Sequence, residues 1–169
     1  MWLLIFAGII LAAGFVAFTG APYVPSHRKD VVRVFTTLHP ITKDDVVMDI
    51  GSGDGVVLRE VSKLGARAVG YEIHPVLVLI SRWLSRNDSR VTVKLANFWR
   101  TPLPDDTTVV YTFGETRDIV KMYHRVQQEA TRIGRPLVFI SYAFAVADVV
   151  PIATDASYNV YEVQPLQES

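Results

Sequence analysis

From Asp45 onward, short apolar runs alternate with stretches of helical periodicity, and this alternation narrows the possible folds most. Asp45–Ile50 (DVVMDI) reads as a short buried strand. Val56–Leu64 has helical spacing, with Val57, Leu58, Val61 and Leu64 on one face. Ala66–Tyr71 is a second strand, and Pro75–Ser85 a second helix with proline tolerated in its first turn. Val91–Ala96 and Thr108–Phe113 give a third and a fourth strand. Asp118–Thr131 is a helix and Leu137–Tyr142 a fifth strand. Two β-like pieces follow, near Val149–Ile152 and Tyr158–Val163, with no helix between them. Strands alternating with helices imply a parallel sheet covered on both faces, and the closing pair implies a hairpin at one edge. The expected fold is therefore α/β. It is a seven-stranded, mostly parallel sheet with helices on both faces, formed by about residues 27–169.

The chain has 169 residues, half of them hydrophobic and a fifth charged, which suits one domain with a buried core. Seventeen basic residues balance 17 acidic ones. A nucleic-acid binder normally carries a basic excess, so no nucleic-acid partner is expected. There is no cysteine, which excludes disulfides and thiolate zinc sites. His27, His39, His74 and His124 are scattered, without metal-ligand spacing, and no metal is expected.

The N-terminus differs in character. Trp2–Phe18 (WLLIFAGIILAAGFVAF) has neither charge nor proline. As a helix it covers roughly 25 Å, and with its flanks it can cross a hydrocarbon core of about 30 Å. The expectation is a single transmembrane anchor over residues 1–20, with a cleaved signal peptide or a buried helix as alternatives. His27-Arg28-Lys29 just after the span favours a domain facing the cytoplasm, or the matrix in a mitochondrion. A connector over 21–30 contains Pro22-Tyr23-Val24-Pro25-Ser26. Its two prolines enforce extension, Ser26 can cap a helix starting near His27, and Pro40 ends that helix.

Ligands of open α/β sheets bind outside the carboxyl ends of the strands. The first strand ends in Asp49-Ile50-Gly51-Ser52-Gly53-Asp54-Gly55. The spacing is G-x-G-x-G. The third glycine of a dinucleotide loop is replaced by Val56, and Asp49 and Asp54 put carboxylates where a pyrophosphate would be repelled. Such a turn suits a ligand with a positive end, and the methionine part of S-adenosylmethionine carries an ammonium and a sulfonium. Glu72, ending the second strand, can accept from both ribose hydroxyls. After the third strand, Asn97 can bond the adenine amino group while Phe98 or Ile73 packs on the ring. The blander alternatives are a purely structural glycine turn, a solvated Glu72, and Asn97 as a turn-former before Pro102 and Pro104.

The runs VVMDIGSGDGVV, AVGYEIHPVLVLISRW and ANFW, with the upstream PYVPS and the apolar N-terminal segment, resemble a small family of mitochondrial and prokaryotic lysine N-methyltransferases. Its members modify the c subunit of ATP synthase and the adenine nucleotide translocase. The same motifs resemble the Dot-type histone lysine methyltransferases. The resemblance implies a Rossmann-like class I methyltransferase that uses S-adenosylmethionine, with a protein substrate at the membrane. It adds Tyr23, Val24 and Ser26 to the cofactor-binding residues Asp49, Gly51, Ser52, Gly53, Asp54, Gly55, Glu72, Ile73, Asn97 and Phe98. His74, Val76, Val56 and Asn97 depart from the family's usual Asn, Trp, Arg and Asp. No catalytic residue is assigned. The fourth-strand end, Tyr111-Thr112-Phe113-Gly114, is the expected acceptor entrance. A lipid or small-molecule methyltransferase, or a non-catalytic protein keeping the pocket as scaffold, are the other readings.

Overall fold

The computed structural model of the protein describes Trp2 and residues 27–113 and 118–166. Its centre is a seven-stranded sheet. In chain order the elements are α1 (Arg28–Arg33), β1 (Val46–Ile50), α2 (Val56–Lys63), β2 (Arg67–Glu72), α3 (Pro75–Leu84) and β3 (Val91–Leu95). There follow β4 (Val109–Thr112), α4 (Ile119–Ile133), β5 (Leu137–Tyr142), β6 (Ala153–Thr154) and β7 (Tyr158–Val163). The strand order is β3-β2-β1-β4-β5-β7-β6. The first five strands pair in parallel, and β7 is antiparallel to both β5 and β6. The expected sheet, with helices on both faces and an edge hairpin, is what forms.

β1 is central and buried along its whole length, as the unbroken VVMDI run requires of a strand covered on both faces. On one face Val47, Ala68, Val93 and Val109 pack with Val31 and Val34 of the first helical segment, Val57, Leu58 and Val61 of α2 and Val78 of α3. On the other face Met48, Val69, Val110 and Phe139 pack against Ile119, Tyr123 and Val126 of α4. α1 continues into a wider π segment, Val34–Leu38, closed by His39 N–H donating to the Val34 carbonyl at 2.8 Å. α4 stops at Gly134, whose φ of 79° permits the closing bonds from Gly134 and Arg135 N–H to the Ala130 carbonyl.

The β3–β4 connection crosses the α4 face without a helix of its own. Buried Glu129 accepts from the Leu103 N–H at 3.0 Å and pairs with Arg125 at 2.7 Å and Arg132 at 2.8 Å. Arg132 in turn donates to the Leu103 carbonyl, and the Tyr71 hydroxyl donates to that of Pro102.

One strand is displaced from its expected place. Val149–Ile152 is not a strand; the short β6 follows it at Ala153–Thr154. Pro151 has no N–H for the ladder, so pairing with β7 begins at the Ile152 N–H, which donates to the Val160 carbonyl. Among the described residues no helix is long and apolar enough to cross a membrane. The expected span at 2–18 lies, apart from Trp2, outside the described residues, as do Tyr23, Val24 and Ser26.

Candidate cofactor site

Strand order reverses at β1, which has β2 on one side and β4 on the other. The register brings Ile50 level with Tyr71 and with Thr112, so three strand ends form one ledge. That is the crevice where open α/β sheets bind ligands. The Asp49–Gly55 turn lies there.

Gly51, Gly53 and Gly55 all have positive φ, at 72°, 54° and 81°. Two of them are needed for different reasons. A Cβ on Gly55 would come within 2.2 Å of the Ser81 hydroxyl, so this glycine lets α3 pack under the turn. A Cβ on Gly51 would meet nothing within 4 Å, so the turn presents bare backbone to open space there. Gly70, in β2, is a further requirement, one that the motif spacing does not disclose. A Cβ on it would fall 2.4 Å from the Ser52 hydroxyl and 2.6 Å from the Leu58 methyl. A glycine inside a strand pattern is the signal for such a close approach.

Glu72 fastens the turn. It is buried, one carboxylate oxygen accepts the Gly53 N–H at 2.9 Å, and the other accepts the His74 N–H at 2.7 Å. A carboxylate oxygen has two lone-pair directions, so each retains capacity for a ligand hydroxyl. Asp54 accepts the Val56 N–H at 3.2 Å and pairs with Arg59 at 3.4 Å. Asp49 is only 3% exposed. Burial, and then the charges of Glu72 and Asp54, push its carboxyl well above the usual carboxylate range. Three carboxylates thus converge on one turn, and Asp49 is held with its charge poorly compensated. A cationic ligand would relieve that cost.

The adenine side is arranged less as expected. Asn97 is exposed and its carbonyl oxygen accepts the Trp99 N–H at 2.9 Å, so it shapes the turn after β3. Its amide N–H groups and the oxygen's second lone pair remain for a ligand. Phe98 is buried in the core beside Tyr71 and Leu103, edge-on to Trp99. Ile73 stands 47% exposed just past the end of β2. At the ends of β4 and β5, Phe113 stacks on Tyr142 with centroids 4.6 Å apart and planes 23° apart. Both residues end strands expected from the sequence, but the sequence does not disclose that they meet.

The ANTKMT methyltransferase domain matches residues 49–153. The ATP synthase c-subunit lysine N-methyltransferase of Xenopus laevis is 31% identical over 118 residues, covering 66% of this chain and 51% of that protein. An rRNA methyltransferase of Streptomyces thermotolerans is 30% identical over 95 residues, covering 54% of this chain and 32% of that one. The chain spans about half the length, or less, of the curated relatives it matches. An RNA methyltransferase from Salinibacter ruber, solved with S-adenosyl-L-homocysteine, shares the fold with a TM-score of 0.68. It is 22% identical, and the match covers 86% of this chain and 97% of that one. The fold is that of the Rossmann-like methyltransferases, and with more than half of its length matched, glycine turn included, the chain belongs to the family of ANTKMT methyltransferase domains.

Proposed function

We propose that the protein is an S-adenosylmethionine-dependent methyltransferase that methylates lysine on a protein at a membrane, its domain facing the cytoplasm or the mitochondrial matrix. The observation that carries the reading is the cluster of Asp49, Asp54 and Glu72 around a glycine turn whose backbone is bare at Gly51. The residues fit this cofactor. Asp49 offers a buried negative charge to its cationic end, Glu72 keeps acceptor capacity for two hydroxyls, and exposed Ile73 offers an aliphatic surface to the face of the adenine ring. When bound, S-adenosylmethionine supplies a methyl group already activated on a sulfonium. The chain's own task is then positioning and exclusion of water.

A lysine amine must be neutral to act as a nucleophile, and its unperturbed pKa is about 10.4. The Phe113–Tyr142 stack gives an apolar wall at the β4 and β5 ends, which disfavours the charged form of an amine beside it. The same π faces can hold a cation in transit. Glu115, close to this wall in sequence, lies outside the described residues. Support for lysine comes from the relatives named as lysine N-methyltransferases of the ATP synthase c subunit.

The test is incubation of the full chain with methyl-labelled S-adenosylmethionine and native membranes, followed by fractionation. Label in protein, recovered as methyl-lysine after hydrolysis, is the expected result. Label in lipid or in RNA would replace lysine as the acceptor, and label nowhere would reduce the pocket to a scaffold.

A further inference from the structure

Helix α3 is turned with its wider apolar face outward. It buries only Val78 and Ser81 against the sheet. Leu79 is 65% exposed and Trp83 63%, and Val76, Ile80 and Leu84 are exposed as well. At about 100° per residue these five fall at steps of about 40° or less and cover an arc of about 140°. Leu95 continues the patch. It points to the same side of β3 as buried Val93, which packs with α3, yet it is itself exposed.

The charge around this face is one-sided. Between Pro75 and Arg100 five basic residues stand against one acid, Asp88; Arg82, Arg86 and Arg90 lie on or just after the helix, whereas Lys94 is over the Tyr71 ring on the opposite face of the sheet. A chain of zero net charge therefore carries 16 of its 17 acidic residues elsewhere. Arg86 lies over the Trp83 ring at 4.8 Å, and Asp88 is turned back to accept the Arg90 N–H. An outward apolar stripe with tryptophan and a basic rim has the composition of a helix lying in a membrane interface. The apolar arc enters the acyl boundary and the arginines meet anionic headgroups. Aliphatic side chains dominate the stripe, which favours lipid over single-stranded RNA, where stacking aromatics carry the contact.

We propose that the outer face of α3, with the β3 edge, docks on an anionic lipid bilayer surface. α3 starts three residues after Glu72, so a docked helix sets the cofactor pocket at the level of the headgroups. The argument for this surface does not rest on the methyl-transfer reading.

The chain's lack of cysteine makes the test direct. An environment-sensitive fluorophore is placed by Leu79→Cys, and separately by Gln128→Cys on the exposed side of α4. Full-length protein is mixed with vesicles of phosphatidylcholine, alone or with a third phosphatidylglycerol. The probe at 79 should shift to the blue and be quenched by a lipid-borne quencher on the mixed vesicles, while the probe at 128 stays unchanged. Arg86→Glu with Arg90→Glu should weaken the response at 79 by roughly tenfold or more, and added salt should weaken it in the unsubstituted protein. A silent probe at 79 on protein that pellets with the vesicles would overturn the proposal. So would an equal response to neutral vesicles. A response that rises with protein concentration without lipid would assign the face to a second copy, and one produced by an RNA oligonucleotide alone would assign it to RNA.

Discussion

Gly51 and Gly55 share a backbone conformation but differ in what surrounds them, which separates folding from binding by experiment. Alanine at either position must hold a left-handed φ, at about 1–2 kcal/mol each. At Gly51 that is the whole cost, because the new methyl meets nothing within 4 Å. At Gly55 the methyl arrives 2.2 Å from the Ser81 hydroxyl and 3.2 Å from Arg59, and overpacking of this kind adds about 1–3 kcal/mol. Gly51→Ala should therefore lower the melting temperature by about 2–8 °C and Gly55→Ala by about 4–20 °C, at about 2–4 °C per kcal/mol. Binding should rank the other way. The methyl of Gly51→Ala occupies the open space in front of the turn, so affinity for S-adenosylhomocysteine should fall about tenfold or more, or about 1.4 kcal/mol and upward. The folded fraction of Gly55→Ala should lose less. Thermal melts and calorimetric titration read the two effects. Adding Ser81→Ala to Gly55→Ala should restore part of the loss, since it removes the atom in collision; a double-mutant cycle isolates that coupling. Affinity unchanged in Gly51→Ala would place the cofactor elsewhere. A Gly55→Ala no less stable than Gly51→Ala would remove Ser81 from the argument.

Three further outcomes follow from the same contacts. Glu72→Ala should cost about 1–3 kcal/mol of cofactor affinity for each charged hydrogen bond lost, and it should also lower stability because the Gly53 and His74 N–H groups lose their acceptor; titration and melts on one sample measure both. Glu129→Ala should cost about 3–5 kcal/mol in urea unfolding, because Arg125 and Arg132 lose a buried partner and Leu103 its anchor. Asp49→Asn should stabilise the protein without ligand, increasingly so as pH rises above the ordinary carboxylate range. The folded carboxyl titrates higher than the unfolded one, so ionising it costs the native state stability. Melts of both proteins across the acid-to-neutral range check the sign, and parallel curves would refute it.

The sheet is readable from sequence because its strands are buried runs or alternations bounded by glycine and proline. Leu137–Tyr142 and Tyr158–Val163 fall where their patterns place them. The strand expected near 149–152 forms later because Pro151 lacks the N–H that decides where pairing starts, whatever the apolar residues around it suggest. The π segment at Val34–Leu38, where Phe35 packs against Tyr111 across the core, has no sequence signature. Of the site, the glycine turn and Glu72 are legible because each needs a residue type that few others replace. The division of labour between Phe98 and Ile73 is not. Both are apolar neighbours of a strand end, and only the chain's path after β3 sends one to the core. Periodicity likewise identifies α3 but not which face it buries, because the buried side holds one valine and one serine, which give no sharp preference.

Glu72 joins what the sequence keeps apart. Along the chain, it reads as an acceptor for ribose hydroxyls at a strand end. In the fold it is also the group that holds the glycine turn closed, through one backbone N–H on each side. Those two bonds fix its rotamer before any ligand arrives, so its remaining lone pairs are aimed without further ordering cost. The same bonds keep its charge close enough to Asp49 to raise that carboxyl's proton affinity. A cation bound beside Asp49 favours its ionised form, so binding and loss of the Asp49 proton are coupled. Cofactor affinity should therefore increase as pH rises through the raised carboxyl range, and binding at the lower end of that range should release a proton. Calorimetry in buffers of different ionisation enthalpy counts that proton. Asp49→Asn should abolish the release while Glu72→Gln, which keeps one acceptor but loses the charge, should diminish it. Proton release undiminished in Asp49→Asn would mean that the titrating group lies outside the turn.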